Sequence, residues 1–266
     1  MPVLAGESMQ FRDVAEFLRE QTDRVLLLRL VEGNYGDELE RMGLRKRLRE
    51  CNVDFVEVRF GGERLEELLS KFDVICFYGV GGIGEVYRSF SNRVNQLCTA
   101  HPNKLFVIAP TTAMLHEEFL RERYLHDNLV FFAREPTTYS FMRYLGVKRC
   151  FLDKCMALHI TAEELPGNQG VKWKTALFRR EDVERIDATP PRDFEVMLDP
   201  VLAADSFEEW VNLHRAAETI YTNRLHSGIC GMILGKRVYL FRNSYHKLRS
   251  VWKYSLKRKG VFWLNV

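Results

Sequence analysis

The stretch TNRLHSGICGMILGKRVYLF, residues 222–241, places an arginine and a histidine two positions apart, where a predicted strand gives way to a predicted helix. Free N–H groups at a helix N-terminus attract anions, and a guanidinium binds a carboxylate or phosphate through two parallel hydrogen bonds. A histidine beside such an anion can act as a general acid. Arg224 and His226 reach one cleft only if the backbone there is still extended or tightly turned. The alternative is a histidine that starts the helix and bonds a neighbouring carbonyl.

A second candidate is EGNYGDELE, which follows the first predicted strand. Gly33 and Gly36 allow a tight turn, and the helix after them offers N–H groups to an anion. The alternative is an ordinary strand–helix turn with Asp37 as the helix cap. The segment is not a P-loop, because no GK[ST] follows.

The third candidate is the glycine-rich segment YGVGGIGEVY, residues 78–87. Its spacing resembles a dinucleotide fingerprint only superficially, since it follows the third predicted strand and no acidic residue closes the next one. Two interpretations stay open: a loop that lets a sugar or phosphate approach closely, and simple turn glycines.

Cationic side chains follow two further strands. Arg134 and Glu135 come directly after an apolar strand, where the arginine could bind a carboxylate or phosphate, or could form a surface ion pair with its neighbour. His246, Lys247 and Arg249 follow the strand RVYLF. This last group could serve a phosphate, a lipid-linked acceptor or solubility, and on its own the pattern favours solubility.

The elements that position these residues alternate between apolar strands and helices. Predicted strands lie at 24–30, 53–60, 73–79, 105–110 and 128–135, with helices at 11–20, 37–50, 64–72 and 85–100. This order predicts an α/β protein with a doubly wound parallel sheet. After the polar segment TAEELPGNQGVK we expect a smaller α/β unit of about three strands, with Ser206 as a helix cap. We therefore predict domains at 1–160 and 161–266, with the C-terminal tail packing back on the first.

The composition excludes several classes of protein. Thirty-nine basic and 36 acidic residues nearly balance, which does not favour nucleic-acid binding. No apolar run is long enough for a membrane span, and the N-terminus lacks the layout of a secretory signal. Six scattered cysteines indicate buried, reduced thiols and a cytoplasmic location.

Taken in order, these segments resemble the polysaccharide pyruvyl transferase family over about residues 25–250. That family shows a G-N-x-G-D loop, a glycine-rich segment, an R-[DE]-x-x-[ST] segment, a T-x-R-L-H segment and a downstream H-K. The matching residues are Gly33 to Asp37, Gly79 to Gly84, Arg134 and Glu135 with Thr138, Thr222 to His226, and His246 with Lys247. An LD pair at Asp153 also fits.

The resemblance implies two nucleotide-binding-like domains facing across a cleft, as in glycosyltransferases of the B type. It also implies phosphoenolpyruvate as donor and a sugar diol or lipid-linked oligosaccharide as acceptor, joined as a pyruvate ketal. The residues that we expect to act are His226 as acid, Arg224, Arg134, Lys247 and His246 on the donor, and Asn34, Asp37, Gly81 and Gly82 on the acceptor. We expect no metal or cofactor, no nucleic-acid partner, and a location in the cytoplasm compatible with peripheral contact at the inner membrane face.

Two other functions stay open at this stage. A B-type glycosyltransferase would share the scaffold but needs an acidic ribose ligand after a glycine loop in the second half, where Glu208 and Glu209 lie in a predicted helix instead. A non-catalytic carbohydrate-binding relative is the other alternative, and the presence of Arg224 and His226 argues against it.

Overall fold

The computed structural model describes residues 8–266, and the first residues of the N-terminal segment used to exclude a secretory signal lie outside that range. The chain forms two compact units. The first contains residues up to 33 and residues 40–156, and the second contains residues 34–39 and 157–266.

The first unit is built on one parallel sheet. Along residues 8–156 the strands are β1 (Arg24–Arg29), β2 (Asp54–Arg59), β3 (Val74–Phe77), β4 (Leu105–Thr111), β5 (Leu129–Ala133) and β6 (Cys150–Leu152). Their order in the sheet is β2-β1-β3-β4-β5-β6, and every neighbouring pair is parallel. The helices along the same residues are α1 (Val14–Gln21), α2 (Tyr35–Glu50), α3 (Leu65–Lys71), α4 (Arg88–Ala100), α5 (Glu117–Tyr124) and α6 (Pro136–Leu145).

Continuous apolar runs explain why these strands form the centre of the sheet. Residues 25–28 of β1 and all of β3 and β5 are buried, as expected where helices cover both faces of a parallel sheet. The first helix begins later than predicted, because Asp13 caps it by accepting from the N–H groups of Ala15 and Glu16. Phe11, the first residue of the predicted helix, precedes the observed one and is exposed.

The second unit contains a second parallel sheet. Its strands are β7 (Trp173–Phe178), β8 (Val196–Leu198), β9 (Ala217–Thr222), β10 (Arg237–Leu240) and β11 (Val261–Trp263), in the order β11-β10-β9-β7-β8. The helices along residues 157–266 are α7 (Pro200–Ala203), α8 (Phe207–Arg215), α9 (Leu225–Ile233) and α10 (Lys247–Val251), the last continued by a π-helical stretch, Trp252–Leu256. Two parallel sheets with alternating helices confirm the predicted α/β class.

Our expectation of three strands in this unit was too low. The strands that we missed, β8 and β11, have three residues each and lie at the two edges of the sheet. Both segments are apolar, Val-Met-Leu and Val-Phe-Trp, but a run of three residues is too short to predict a strand. In each strand the middle side chain, Met197 or Phe262, is about half exposed, as expected at a sheet edge.

Glycines bring α9 close to the second sheet, as the small residues of GICGMILG predict. A Cβ atom built on Gly228 would lie 2.6 Å from Cδ2 of Leu240, and one on Gly231 would lie 2.8 Å from Cδ1 of Ile220. Ser206 caps α8, as predicted, by accepting from the N–H of Glu209. The six cysteines are free, and five of them are buried. Among residues 8–266, no helix is both long and apolar enough to cross a membrane.

Candidate functional site

The predicted site residues follow strands at the positions where strand order reverses. In the first sheet the reversal lies between β1 and β3, and in the second between β7 and β9. Loops at the carboxyl ends of strands on either side of such a reversal are where α/β sheets bind ligands. The loop with Gly81 follows β3, and the segment with Arg224 follows β9.

The loop after β1 is shaped by the start of α2. Gly33 has φ +74°, a left-handed conformation that favours glycine. Asn34 accepts from the N–H of Gly36 at 2.8 Å, and Asp37 accepts from the N–H of Asn34 at 2.7 Å. The cap is therefore Asn34, not Asp37 as the alternative interpretation had it, and Asp37 completes a reciprocal capping pair. A role for either residue at the acceptor stays a prediction.

Gly36 lies against the imidazole of His226 within the second unit. A Cβ atom built on Gly36 would lie 2.5 Å from Nδ1 and 2.7 Å from Cβ of His226. Real Cβ atoms essentially never come within 3.0 Å of a neighbour, so this position admits only glycine without a shift. His226 itself is 8% exposed and lies in the first turn of α9.

The glycine-rich loop after β3 approaches the end of β4 at backbone distance. A Cβ atom on Gly79 would lie 2.7 Å from the carbonyl oxygen of Pro110. Gly84 has φ +153° and lies against the side chain of Met114. The carbonyl of Gly81 accepts from Nη2 of Arg134 at 2.6 Å, and Gly82 next to it is buried. The glycines thus serve close backbone packing, and an acceptor role for Gly81 and Gly82 stays a prediction.

Arg134 is the centre of a buried cluster in the first unit. Its side chain is fully buried and donates from Nη1 to Glu40 at 2.6 Å and from Nε to the hydroxyl of Thr112 at 2.8 Å. Cys155 donates to the same Glu40 oxygen at 3.2 Å. The alternative of a surface ion pair with Glu135 was wrong, because Glu135 caps α6 through the N–H groups of Thr137 and Thr138.

Asp153, which fits the family pattern, links the start of α1 to the end of β6 through hydrogen bonds. It accepts from the N–H of Val14 at 2.9 Å and of Lys154 at 2.7 Å. Burial raises the pKa of Asp153 to about 6, although both backbone hydrogen bonds act in the opposite direction.

Arg224 is the N-cap residue of α9, with φ −102° and ψ 119°. The backbone is thus extended at Arg224 and helical at His226, as the sequence argument required. The guanidinium forms a bidentate pair with Asp199, from Nε at 2.7 Å and from Nη2 at 2.5 Å. Nη2 also contacts Asp182 at 3.0 Å. Thr222 fixes the turn by accepting from the N–H of Arg224.

Lys247 is buried and pairs with Glu184 at 2.5 Å, so the interpretation of this residue as a solubilising charge was wrong. Glu184 also accepts from Asn243 at 2.8 Å and pairs with Arg180 at 2.9 Å. His246 precedes α10 and lies edge-on to the ring of Tyr245. The structure therefore joins Lys247 to Arg224 through a chain of ion pairs, whereas Arg134 belongs to the other unit.

We call this group of charged residues at the carboxyl edge of the second sheet the carboxyl-edge cluster. Its members are Arg180, Asp182, Glu184, Asp199, Arg224 and Lys247. Sequence reasoning missed four of them. The available signals were the Asp-Pro pair at Asp199, which starts a helix, and the acids of the charged stretch 179–187 directly after β7.

Comparison with known structures supports the fold. An uncharacterised protein from Klebsiella pneumoniae is similar over 94% of this chain and 97% of its own, with a TM-score of 0.71 and 20% identity. The heptosyltransferase WaaC of Escherichia coli, solved with ADP-2-deoxy-2-fluoro heptose, gives a TM-score of 0.36 and 9% identity over 82% of this chain and 88% of its own. A likeness that low supports no conclusion about this chain. None of the curated proteins matches the sequence significantly.

The family is established by the sequence itself. A model of the polysaccharide pyruvyl transferase family matches residues 34–245, which include the start of α2, the buried Arg134, the T-x-R-L-H turn of Arg224 and His226, and all but Lys247 of the carboxyl-edge cluster. The chain belongs to the polysaccharide pyruvyl transferase family.

Proposed function

We propose that this protein transfers the enolpyruvyl group of phosphoenolpyruvate to two hydroxyls of a sugar in a surface-polysaccharide precursor and forms a pyruvate ketal. Family membership supports the general activity. The observation that carries the proposal further is the turn after β9, where an extended Arg224 and a helical His226 follow the reversal of strand order in the second sheet.

The donor requires cations, because phosphoenolpyruvate carries a carboxylate and a phosphate close together. Asp199 holds the Nε and Nη2 edge of Arg224, and Nη1 makes no hydrogen bond with the residues described. We assign Nη1 of Arg224 to the donor, near the N–H groups that begin α9. Lys247 acts through Glu184, which also holds Arg180. The loops after β1 and β3 are our candidates for the acceptor.

The reaction needs one proton donor and two hydroxyl nucleophiles. In our proposal His226 protonates the methylene carbon of the donor, which makes the adjacent carbon electrophilic. One sugar hydroxyl adds to that carbon, the bond to the phosphate oxygen breaks, and the second hydroxyl closes the ketal. One hydroxyl proton restores the imidazolium and the other leaves with phosphate, so protons and charges balance.

Ligand binding tests the choice of donor. A ligand at one hundred times its dissociation constant adds about 2.7 kcal/mol to the free energy of unfolding. We expect phosphoenolpyruvate to raise the melting temperature and nucleotide sugars to leave it unchanged. Stabilisation by nucleotide sugars alone would instead favour a glycosyltransferase.

Turnover tests the assignment of His226. For His226→Gln we expect donor affinity to persist while phosphate release falls at least ~100-fold, the usual contribution of a general acid. His126→Gln in the first unit, where the imidazole contacts Asn95, is the matched control and should keep its turnover. Near-normal turnover in His226→Gln would remove His226 from this role.

A further inference from the structure

Two guanidiniums of the carboxyl-edge cluster converge on one carboxylate, that of Asp182. Asp182 accepts from Nε and Nη2 of Arg180, both at 2.8 Å, and from Nη2 of Arg224 at 3.0 Å. Two guanidiniums that converge on one carboxylate form the arrangement with which proteins bind free carboxylates and phosphates.

The three carboxylates of the cluster differ in exposure. The side chains of Asp199 and Glu184 are 1% and 2% exposed, whereas that of Asp182 is 38% exposed. Asp199 also caps α7 and accepts from the N–H of Glu181, so its position is fixed from several sides. Asp182 is therefore the member of the cluster that can turn toward solvent without leaving a buried charge unpaired.

The chain around Asp182 is tethered at both ends and exposed between them. Arg180 is fixed by the bond from its N–H to Asn223 at 2.7 Å, and Glu184 is buried among its partners. Glu181, Asp182 and Val183 between them are exposed, and Val183 is 70% exposed. A rotation of the Asp182 side chain would break the hydrogen bond that it accepts from the N–H of Glu184 at 3.0 Å, but it would leave both anchors in place.

We propose that Arg180 and Arg224 form an anion subsite for a small carboxylate or phosphate, and that Asp182 closes this subsite until such an anion displaces it. The proposal deepens the proposed function, on which it rests for the identity of the anion as phosphoenolpyruvate. It assigns Arg180 to donor binding, and it makes the turn 181–183 an internal competitor of the donor.

The charges of the cluster support the displacement. Three cations, Arg180, Arg224 and Lys247, face three carboxylates, so the cluster as described is neutral. Withdrawal of Asp182 leaves a net positive charge beside the start of α9, which an incoming anion neutralises. Burial alone would raise the pKa of Asp182, but the hydrogen bonds and charge of Arg180, with the charge of Arg224, lower it to about 2. The competitor is thus fully ionised at neutral pH.

Titration calorimetry on the full chain tests the subsite. Asp182→Asn keeps the shape of the side chain and removes its charge, so the dissociation constant for phosphoenolpyruvate should fall about 10-fold, as expected when the competing form loses a charge-assisted hydrogen bond. Asp182→Ala, which removes the carboxylate without adding an amide, should give the same gain. Inorganic phosphate and pyruvate, titrated separately, identify which end of the donor the subsite binds.

Asp187→Asn is the matched control. Asp187 is an exposed acid that pairs with Arg185 a few residues along the same segment, so this variant changes the net charge equally and should leave affinity unchanged. Unchanged or weaker binding of all three probes by both Asp182 variants would overturn the proposal, as would an equal gain in Asp187→Asn. A gain in anion affinity together with no ketal product would support the subsite and refute the proposed function.

Discussion

The contact between Gly36 and His226 gives a prediction that can be worked out from distances. Ordinary van der Waals contact begins at 3.4 Å, and the Cβ of an alanine at position 36 would lie 2.5 Å from Nδ1 of His226. The imidazole would therefore have to retreat by about 0.9 Å. A displacement of about 1 Å at a catalytic group can lower a rate by ~100-fold.

The effect on stability should be much smaller than the effect on turnover. Overpacking in a buried site lowers the free energy of unfolding by about 1–3 kcal/mol, whereas replacing glycine by alanine in a helix raises it by up to about 1 kcal/mol. We expect Gly36→Ala to lower the free energy of unfolding by about 0–2 kcal/mol and phosphate release by ~100-fold. Urea unfolding and steady-state phosphate release measure the two quantities on the same preparation.

Gly231→Ala is the matched control for this experiment. Its Cβ would lie 2.8 Å from Cδ1 of Ile220 and 3.0 Å from Cγ2 of Val238. The added methyl group therefore crowds α9, the helix that carries His226, against the sheet, but it does not contact the imidazole. We expect a similar loss of stability with near-normal turnover. In a His226→Gln background, Gly36→Ala should cause little further loss of turnover, because the imidazole that it would displace is already absent. Normal turnover in a folded Gly36→Ala protein would refute the reasoning.

Two further predictions concern buried ionisable side chains. Burial lowers the pKa of His214 to about 4, although its bond to the carbonyl of Trp210 acts in the opposite direction. The folded state thus keeps this histidine neutral while the unfolded state takes up a proton below about pH 6.5, so its contribution to stability is present above that pH and about 3 kcal/mol is lost as the pH falls to 4. His214→Phe should remove this loss in urea titrations at pH 7 and pH 4.5, and an unchanged pH dependence would contradict the assignment. Arg134→Met should lower the free energy of unfolding by about 3–5 kcal/mol, because it removes a buried cation that pairs with the buried Glu40, and adding Glu40→Gln should restore most of this loss. If the free energy of unfolding of Arg134→Met lay within about 1 kcal/mol of the parent value, the pair of Arg134 with Glu40 would not be needed for stability.

The sequence predicted the elements that depend on local pattern. The apolar runs of β1, β3, β4 and β5 and the small residues of α9 carry their own signal, because a buried parallel strand must be apolar on both faces. The edge strand β8 is apolar as well, but its three residues form too short a run to be distinguished from a loop, and the structure buries them only partly.

The partners of the predicted site residues could not be derived in the same way. Arg224 was a candidate from its position at the end of a strand, but its bidentate partner Asp199 lies 25 residues earlier in the chain. Glu184 and Lys247 are 63 residues apart. Strand order and register bring these residues together at one edge of the sheet, and neither follows from the local spacing of residue types. Neutralisation of the predicted cations by buried carboxylates was for that reason not foreseen.

The first turn of α2 has a consequence for dissecting the protein. Residues 34–39 belong to the second unit although more than a hundred residues separate them from its other members. A fragment that starts at residue 157 would lack Gly36, and the hydroxyl of Tyr35 would no longer reach the carbonyl of Ala204. A C-terminal fragment made to study His226 should therefore carry residues 34–39 as a fusion, because Gly36 lies against its imidazole.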